Sequence, residues 1–319
     1  MSIQLEPCVP PVWALTGHSQ TLLGHLIPSE LLLDKGKRVE VELGDGDRLV
    51  GRFLEGKSKT IVYFFHGLAG NTDAAYMHRS ARVAQSLGHS VFLFNHRGCG
   101  EGAGLATQPY HSGRAEDVSK AIEFGRAQFP KHRHLAVGFS LSGNALLLLL
   151  TGKRGTTKPD AAIAVNAPIN LQSASRALKE GLNRIYDFRF VFECRREITA
   201  RHGPEGAKRF KVPFFSSIYE FDNLYTAPAS GFRDRDDYYD SCSTMNLLEK
   251  IDTPTIILTA KDDPFVHFEH YERAKLSKHV HLHAENHGGH MGYLSKIKTK
   301  LGNQRWMDYA LHTSIGALT

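Results

Sequence analysis

Cysteine is scarce in this chain. Four residues in 319, Cys8, Cys99, Cys194 and Cys242, lie far apart with no Cys-x-x-Cys pair, which excludes a disulfide framework and reads as reduced thiols. Long apolar runs are absent too. The longest, Ala145 to Leu150, has the length of a core helix, well short of the roughly 18 residues of a membrane span. The start of the chain lacks a basic-then-apolar leader, because Glu6, Pro7, Pro10 and Pro11 interrupt it. These absences give the expectation of a cytoplasmic protein without stable membrane insertion. Charge of one sign is also in short supply. Lys and Arg number 39 against 33 Asp and Glu, a net +6 spread along the chain, so no nucleic-acid partner is expected. There is no internal repeat and no low-complexity stretch.

What is present is an alternation. Val39 to Leu43 alternates with period two, a Gly-Asp-Gly-Asp turn follows at Gly44 to Asp47, and Arg48 to Leu54 completes a hairpin. Continuous apolar runs at 60–65, 91–94, 135–138 and 161–165 predict buried parallel strands. Helical spacing separates them over 74–87, 113–129 and 140–151. Strand patterns return at 255–259 and 279–283, and a last helix is expected over 303–317. Strands alternating with helices predict an α/β fold, a mainly parallel sheet covered on both faces. Between 168 and 250 no strand is evident. That stretch is expected to be a helical lid inserted in a single domain, 1–319. Nine aromatic residues between Phe188 and Tyr225 either line an acyl pocket there or form the lid's own core.

The chemistry-bearing residues follow predicted strands. Gly138-Phe139-Ser140-Leu141-Ser142-Gly143 has the layout of a nucleophile elbow, a strand turning sharply into a helix with Ser140 at the apex. The usual Gly-x-Ser-x-Gly pattern ends here in Ser142, which is still small. His66-Gly67-Leu68-Ala69-Gly70-Asn71 is a glycine-rich loop after an early strand. The Leu68 and Leu141 N–H groups are the oxyanion-hole candidates. Asp262 and Asp263 compete for the triad acid, with Asp263, before Pro264, preferred. His290, in Gly288-Gly289-His290-Met291-Gly292, is the candidate base. The order Ser140, Asp263, His290 is that expected of an α/β-hydrolase. Asn95-His96-Arg97-Gly98-Cys99 follows another strand and is read as structural. His281, His283, His287 and His290 raise a zinc reading, but no nearby thiolate or suitably placed carboxylate completes a set, so neither metal nor cofactor is expected.

Taken together, several segments resemble a known group. They include Thr16-Gly17-His18-Ser19-Gln20-Thr21, the His66 loop, Tyr110-His111-Ser112-Gly113, Tyr219-Glu220-Phe221-Asp222-Asn223, Asp262-Asp263-Pro264-Phe265 and Gly288–Gly292. Across nearly its whole length the chain resembles the α/β-hydrolase superfamily, and within it the YheT-like esterases related to the mammalian abhydrolase phospholipases. It departs at Ser142, where the group has glycine, and at Ser19, where it has leucine. The resemblance implies Ser140 as nucleophile, Asp263 as acid and His290 as base. The expected activity is cleavage of carboxylic esters, with lipophilic short- to medium-chain acyl groups, through an acyl-enzyme. Thioester hydrolysis or acyl transfer on the same residues, and a silent fold used for binding, are the alternatives.

Overall fold

A computed structural model describes residues 3–319. Eight strands form one sheet in the order β1-β2-β4-β3-β5-β6-β7-β8. They are β1 (Lys37–Glu42), β2 (Arg48–Leu54), β3 (Thr60–Phe65), β4 (Ser90–Phe94), β5 (Arg133–Phe139), β6 (Ala161–Val165), β7 (Thr255–Ala260) and β8 (Val280–Glu285). β2 runs antiparallel to both neighbours, and every other pairing is parallel. The hairpin expected at 39–54 is β1–β2. The apolar runs are the central strands, and β3, β4, β6 and β7 are buried throughout. Covered on both faces, such strands have no solvent side that would select polar residues.

The first helices are α1 (Gly17–Leu26), α2 (Ala75–Ser86), α3 (Ala115–Gln128) and α4 (Leu141–Leu150). Two buried clusters lie on opposite faces of the sheet. One includes Phe92, Phe94 and the α4 leucines; the other includes Phe64, Phe139 and Trp306 of the last helix, Trp306–Leu318. Every residue of α4 is buried. This explains why its sequence is apolar all round and lacks an amphipathic stripe. Each buried leucine there contributes on the order of 2 kcal/mol.

No strand lies between β6 and β7. That segment is helical, led by α5 (Leu171–Ala177) and α6 (Arg184–His202), followed by short helices up to Cys242. It packs above one end of the sheet. The expected helix limits at 303–317 shift to 306–318, because the chain at Ser295 to Gln304 first folds back on itself, Ser295 N–H donating to Gln304 O.

Candidate active site

Five neighbouring strands deliver their following loops to the same edge of the sheet. Ser140 follows β5, Asn166 follows β6, Asp263 follows β7, His290 follows β8 and Leu68 follows β3. Carboxyl ends of parallel strands are where ligands bind in such sheets, because the crossovers leave a crevice there.

Ser140 has φ +51° and ψ −118°, an unfavourable backbone for a residue with a side chain. The turn is held by its surroundings. Ser140 N–H donates to Val165 O at 2.8 Å. A Cβ at Gly138 would lie 2.5 Å from the Ser142 carbonyl oxygen, so only glycine lets α4 fold back this tightly on β5. The Ser140 hydroxyl is 2.9 Å from His290 Nε2, and His290 Nδ1 is 2.8 Å from Asp263 Oδ2. The Asp263 side chain is fully buried. Its Oδ1 accepts from the Phe265 and Val266 amides at 3.1 and 3.0 Å, and Oδ2 accepts from Asn166 Nδ2 at 2.8 Å. With its oxygens held by these donors, Asp263 is fixed in place and orients the His290 ring, with the Nδ1 proton directed at Oδ2. The His290 ring packs on Phe265, centroids 4.2 Å apart, and its amide donates to Thr21 Oγ1 at 2.8 Å.

Asp262, the competing acid, is elsewhere. Its Oδ1 accepts from the Gly288 and Gly289 amides at 2.9 and 2.8 Å, so it shapes the loop that carries His290 without touching the ring. Leu68 and Leu141 both border the Ser140 cavity. In the loop after β3, Gly67 N–H donates to Tyr76 Oη and Ala69 N–H to Tyr110 Oη, both at 2.9 Å. Among the described residues neither Leu68 N–H nor Leu141 N–H has a partner, which leaves these two donors free beside the serine.

Ser142 is fully buried. Its hydroxyl donates to the His66 carbonyl and lies 2.6 Å from His96 Nε2. His66 Nε2 accepts from the His96 amide at 3.1 Å, so Nδ1–H donates to Gly67 O at 2.8 Å. Burial keeps both rings neutral. It drives His66 well below the ordinary histidine range and His96 down to about 4. The hydroxyl at position 142 therefore fastens the elbow to the loop holding Leu68. The sequence pattern carried no signal of this. The supporting Asn166, Thr21 and Tyr110 went unassigned for the same reason: each acts across a sequence gap of dozens of residues or more.

Other candidates disperse. Arg97 binds Asp45, Asp47 and Asp117 within 2.6–2.8 Å and is structural. Cys99 is buried, and burial pushes its thiol well up, away from a nucleophile's range. His283 pairs with Glu285 at 2.7 Å, while His290 is engaged with Ser140 and Asp263, so the four C-terminal histidines do not converge. Of the nine aromatics read as acyl-pocket lining or as the lid's own core, Phe190 lines the Ser140 cavity. Phe221 and Tyr225 line the adjoining one. Phe188, Phe192, Phe214 and Phe215 instead face solvent, which corrects both the pocket and the lid-core readings for these four.

A model of the alpha/beta hydrolase fold matches residues 60–297. The "Putative esterase YheT" of Escherichia coli (strain K12) is 32% identical over 301 residues, covering 91% of this chain and 87% of that one. This chain belongs to the α/β-hydrolase family, among its YheT-like esterases. A further relative of this α/β-hydrolase is the human "Phospholipase ABHD3", 27% identical over 92% of this chain and 75% of that one. The Pyrococcus furiosus esterase Pf2001 shares the fold, with a TM-score of 0.61 at 16% identity over 91% of this chain and 96% of that one. No helix among the described residues is long and apolar enough to cross a membrane.

Proposed function

We propose that this α/β-hydrolase cleaves carboxylic esters by an acyl-enzyme route, with Ser140 as nucleophile. The observation that carries this reading is the unbroken line from Ser140 Oγ through His290 to a buried, triply hydrogen-bonded Asp263. His290 Nε2 takes the hydroxyl proton as Ser140 attacks the acyl carbonyl, then gives it to the leaving alcohol. Asp263 holds the ring and supports its transient positive charge. The Leu68 and Leu141 amides bind the oxyanion. A donor of this kind is worth about 3 kcal/mol of transition-state stabilisation. Water, activated by the same histidine, releases the acid. No step calls on a metal or a cofactor.

The cavity at Ser140 measures about 80 Å³. Leu171, Ala174, Leu178, Phe190, Ile218 and Phe265 give it an apolar wall. That lining suits the start of an unbranched acyl chain, with the open mouth leaving room for short to medium lengths. The helical segment over 168–250, covering the cavity, acts as its lid.

Hydrolysis of p-nitrophenyl esters across acyl lengths tests the reading. The parent should show a maximum at short to medium chains, and Ser140→Ala should lower kcat by at least about 10³-fold. Activity equal in parent and variant on every ester would sink it.

A further inference from the structure

The aromatic side chains that left the pocket have assembled elsewhere. Phe215 is 83% exposed, and Phe188, Phe192 and Phe214 are each close to half exposed. Phe188, Phe214 and Phe215 form one cluster, with ring centroids 5.0–6.4 Å apart. Ile185, Phe188 and Phe192 fall three and four residues apart on α6, so they share one face of that helix, and all three are exposed. A second exposed row comes from the N-terminal arm: Trp13, Leu15, Leu22 and Leu26. The two rows are neighbours. His18 stacks on Tyr186 at 5.9 Å, and its Nδ1 lies 3.1 Å from the Tyr186 hydroxyl. Arg189 of α6 is close enough to His25 of α1 to help burial lower its pKa.

Scattered exposed apolar residues are ordinary, but a contiguous set of this size on one face marks a docking surface. Its charge indicates the occupant. Between Arg184 and Phe215 there are eight Lys and Arg against four Asp and Glu. Of these acids, Asp187 is buried and Glu197 points inward to Tyr110. Arg184, Arg189, Arg196, Lys208, Arg209 and Lys211 are exposed. Aromatic and aliphatic side chains set among arginines match the interface of an anionic bilayer. The rings enter the headgroup boundary and the cations meet lipid phosphates.

The face also adjoins the site. Thr21 of α1 holds the His290 amide, and Phe190 of α6 lines the Ser140 cavity. We propose that this face docks peripherally on anionic lipid bilayers and turns the mouth of the Ser140 cavity toward esters held in them. The second half of that statement rests on the serine-esterase reading; the docking itself does not.

The protein carries its own reporter. It has two tryptophans, and Trp306 is buried while Trp13 is half exposed on the N-terminal arm that leads into α1. Tryptophan emission of the Ser140→Ala protein is followed during titration with phosphatidylglycerol vesicles and with phosphatidylcholine vesicles. Docking predicts a blue shift and co-sedimentation with the anionic vesicles, weakened by 0.5 M salt. The pair Phe214→Ser and Phe215→Ser should weaken binding at least tenfold, yet leave parental hydrolysis of a soluble p-nitrophenyl ester within twofold in the Ser140 background. No shift and no co-sedimentation would overturn the proposal. So would a lipid-free dimer, seen by light scattering, that the same substitutions dissolve, since the face would then belong to a second copy. Vesicle binding that persists in a protein with no esterase activity would sink the catalytic reading alone.

Discussion

At Asp263 and Asp262, two adjacent carboxylates have been given different work by their hydrogen bonds. Asp263 collects two amides, an asparagine and the His290 ring; Asp262 collects two glycine amides. Asp263→Asn would present an amide to the ring and favour the wrong tautomer, so kcat should fall by about 10³- to 10⁴-fold with KM little changed. Asp262→Asn keeps an acceptor for the glycine amides and should cost less than tenfold. Equal losses in the two variants would reverse the assignment. A buried acid on α6 sets a second expectation. Burial pushes Glu197 up from 4.5 to about 7, against the pull of Arg201 and the hydrogen bonds from Cys99 and Tyr110. A carboxyl raised in the folded state binds its proton better there. Its contribution to stability is full below about pH 4.5 and is lost as the pH climbs through about 7. Glu197→Gln should therefore match the parent's stability near pH 4 and exceed it at pH 8 by on the order of 3 kcal/mol, read as a higher Tm at the upper pH alone. Ser140, Asp263 and His290, which the fold brings together, could be singled out as candidates because each stands just past a strand in a short, glycine- or proline-marked loop. Ser142 looked like a blemish in a motif, since its partners His66 and His96 lie 76 and 46 residues away.

Among the elements, the strands could be read most directly, because burial on both faces leaves an apolar run bounded by turn residues. The segment between β6 and β7 was legible as strandless and helical, but not in which way its rings point. Its aromatics carry no period that separates an inward ring from an outward one, and α6 shows why: Phe190 turns to the cavity while Phe188 and Phe192, two residues either side, face out. The β1–β2 hairpin is tied to α3 through Arg97, whose guanidinium reaches Asp45 and Asp47 at the turn and Asp117 on the helix. Arg97→Met would strand these carboxylates, two of them buried, without a counter-charge. A loss of about 3–5 kcal/mol is expected, read as a lower urea midpoint with an unchanged m-value. Gly138→Ala acts at the β5–α4 junction. With the Ser142 carbonyl 2.5 Å from the new methyl group, strand and helix cannot keep their angle, and both folded yield and ester hydrolysis should collapse together.

Over the whole molecule, the sheet is assembled from long-range pairings, and the N-terminal arm is stitched to the far end of the chain. Gln20 is fully buried; its amide donates to Ala14 O and Leu294 O and accepts from Leu294 N–H. Gln20→Ala should cost roughly 2–4 kcal/mol and also lower kcat, since α1 carries Thr21 against His290. Calorimetry and ester kinetics on the same preparation would show both, and a stability loss with untouched kcat would refute the coupling. The Thr21–His290 bond spans 269 residues. Ser140 and His290 are themselves 150 residues apart, so on the proposed reading a growing polypeptide carries its serine through all of that stretch without the base that would arm it. If Ser140 and His290 act as proposed, a product released before His290 is made would be harmless to the esters around it.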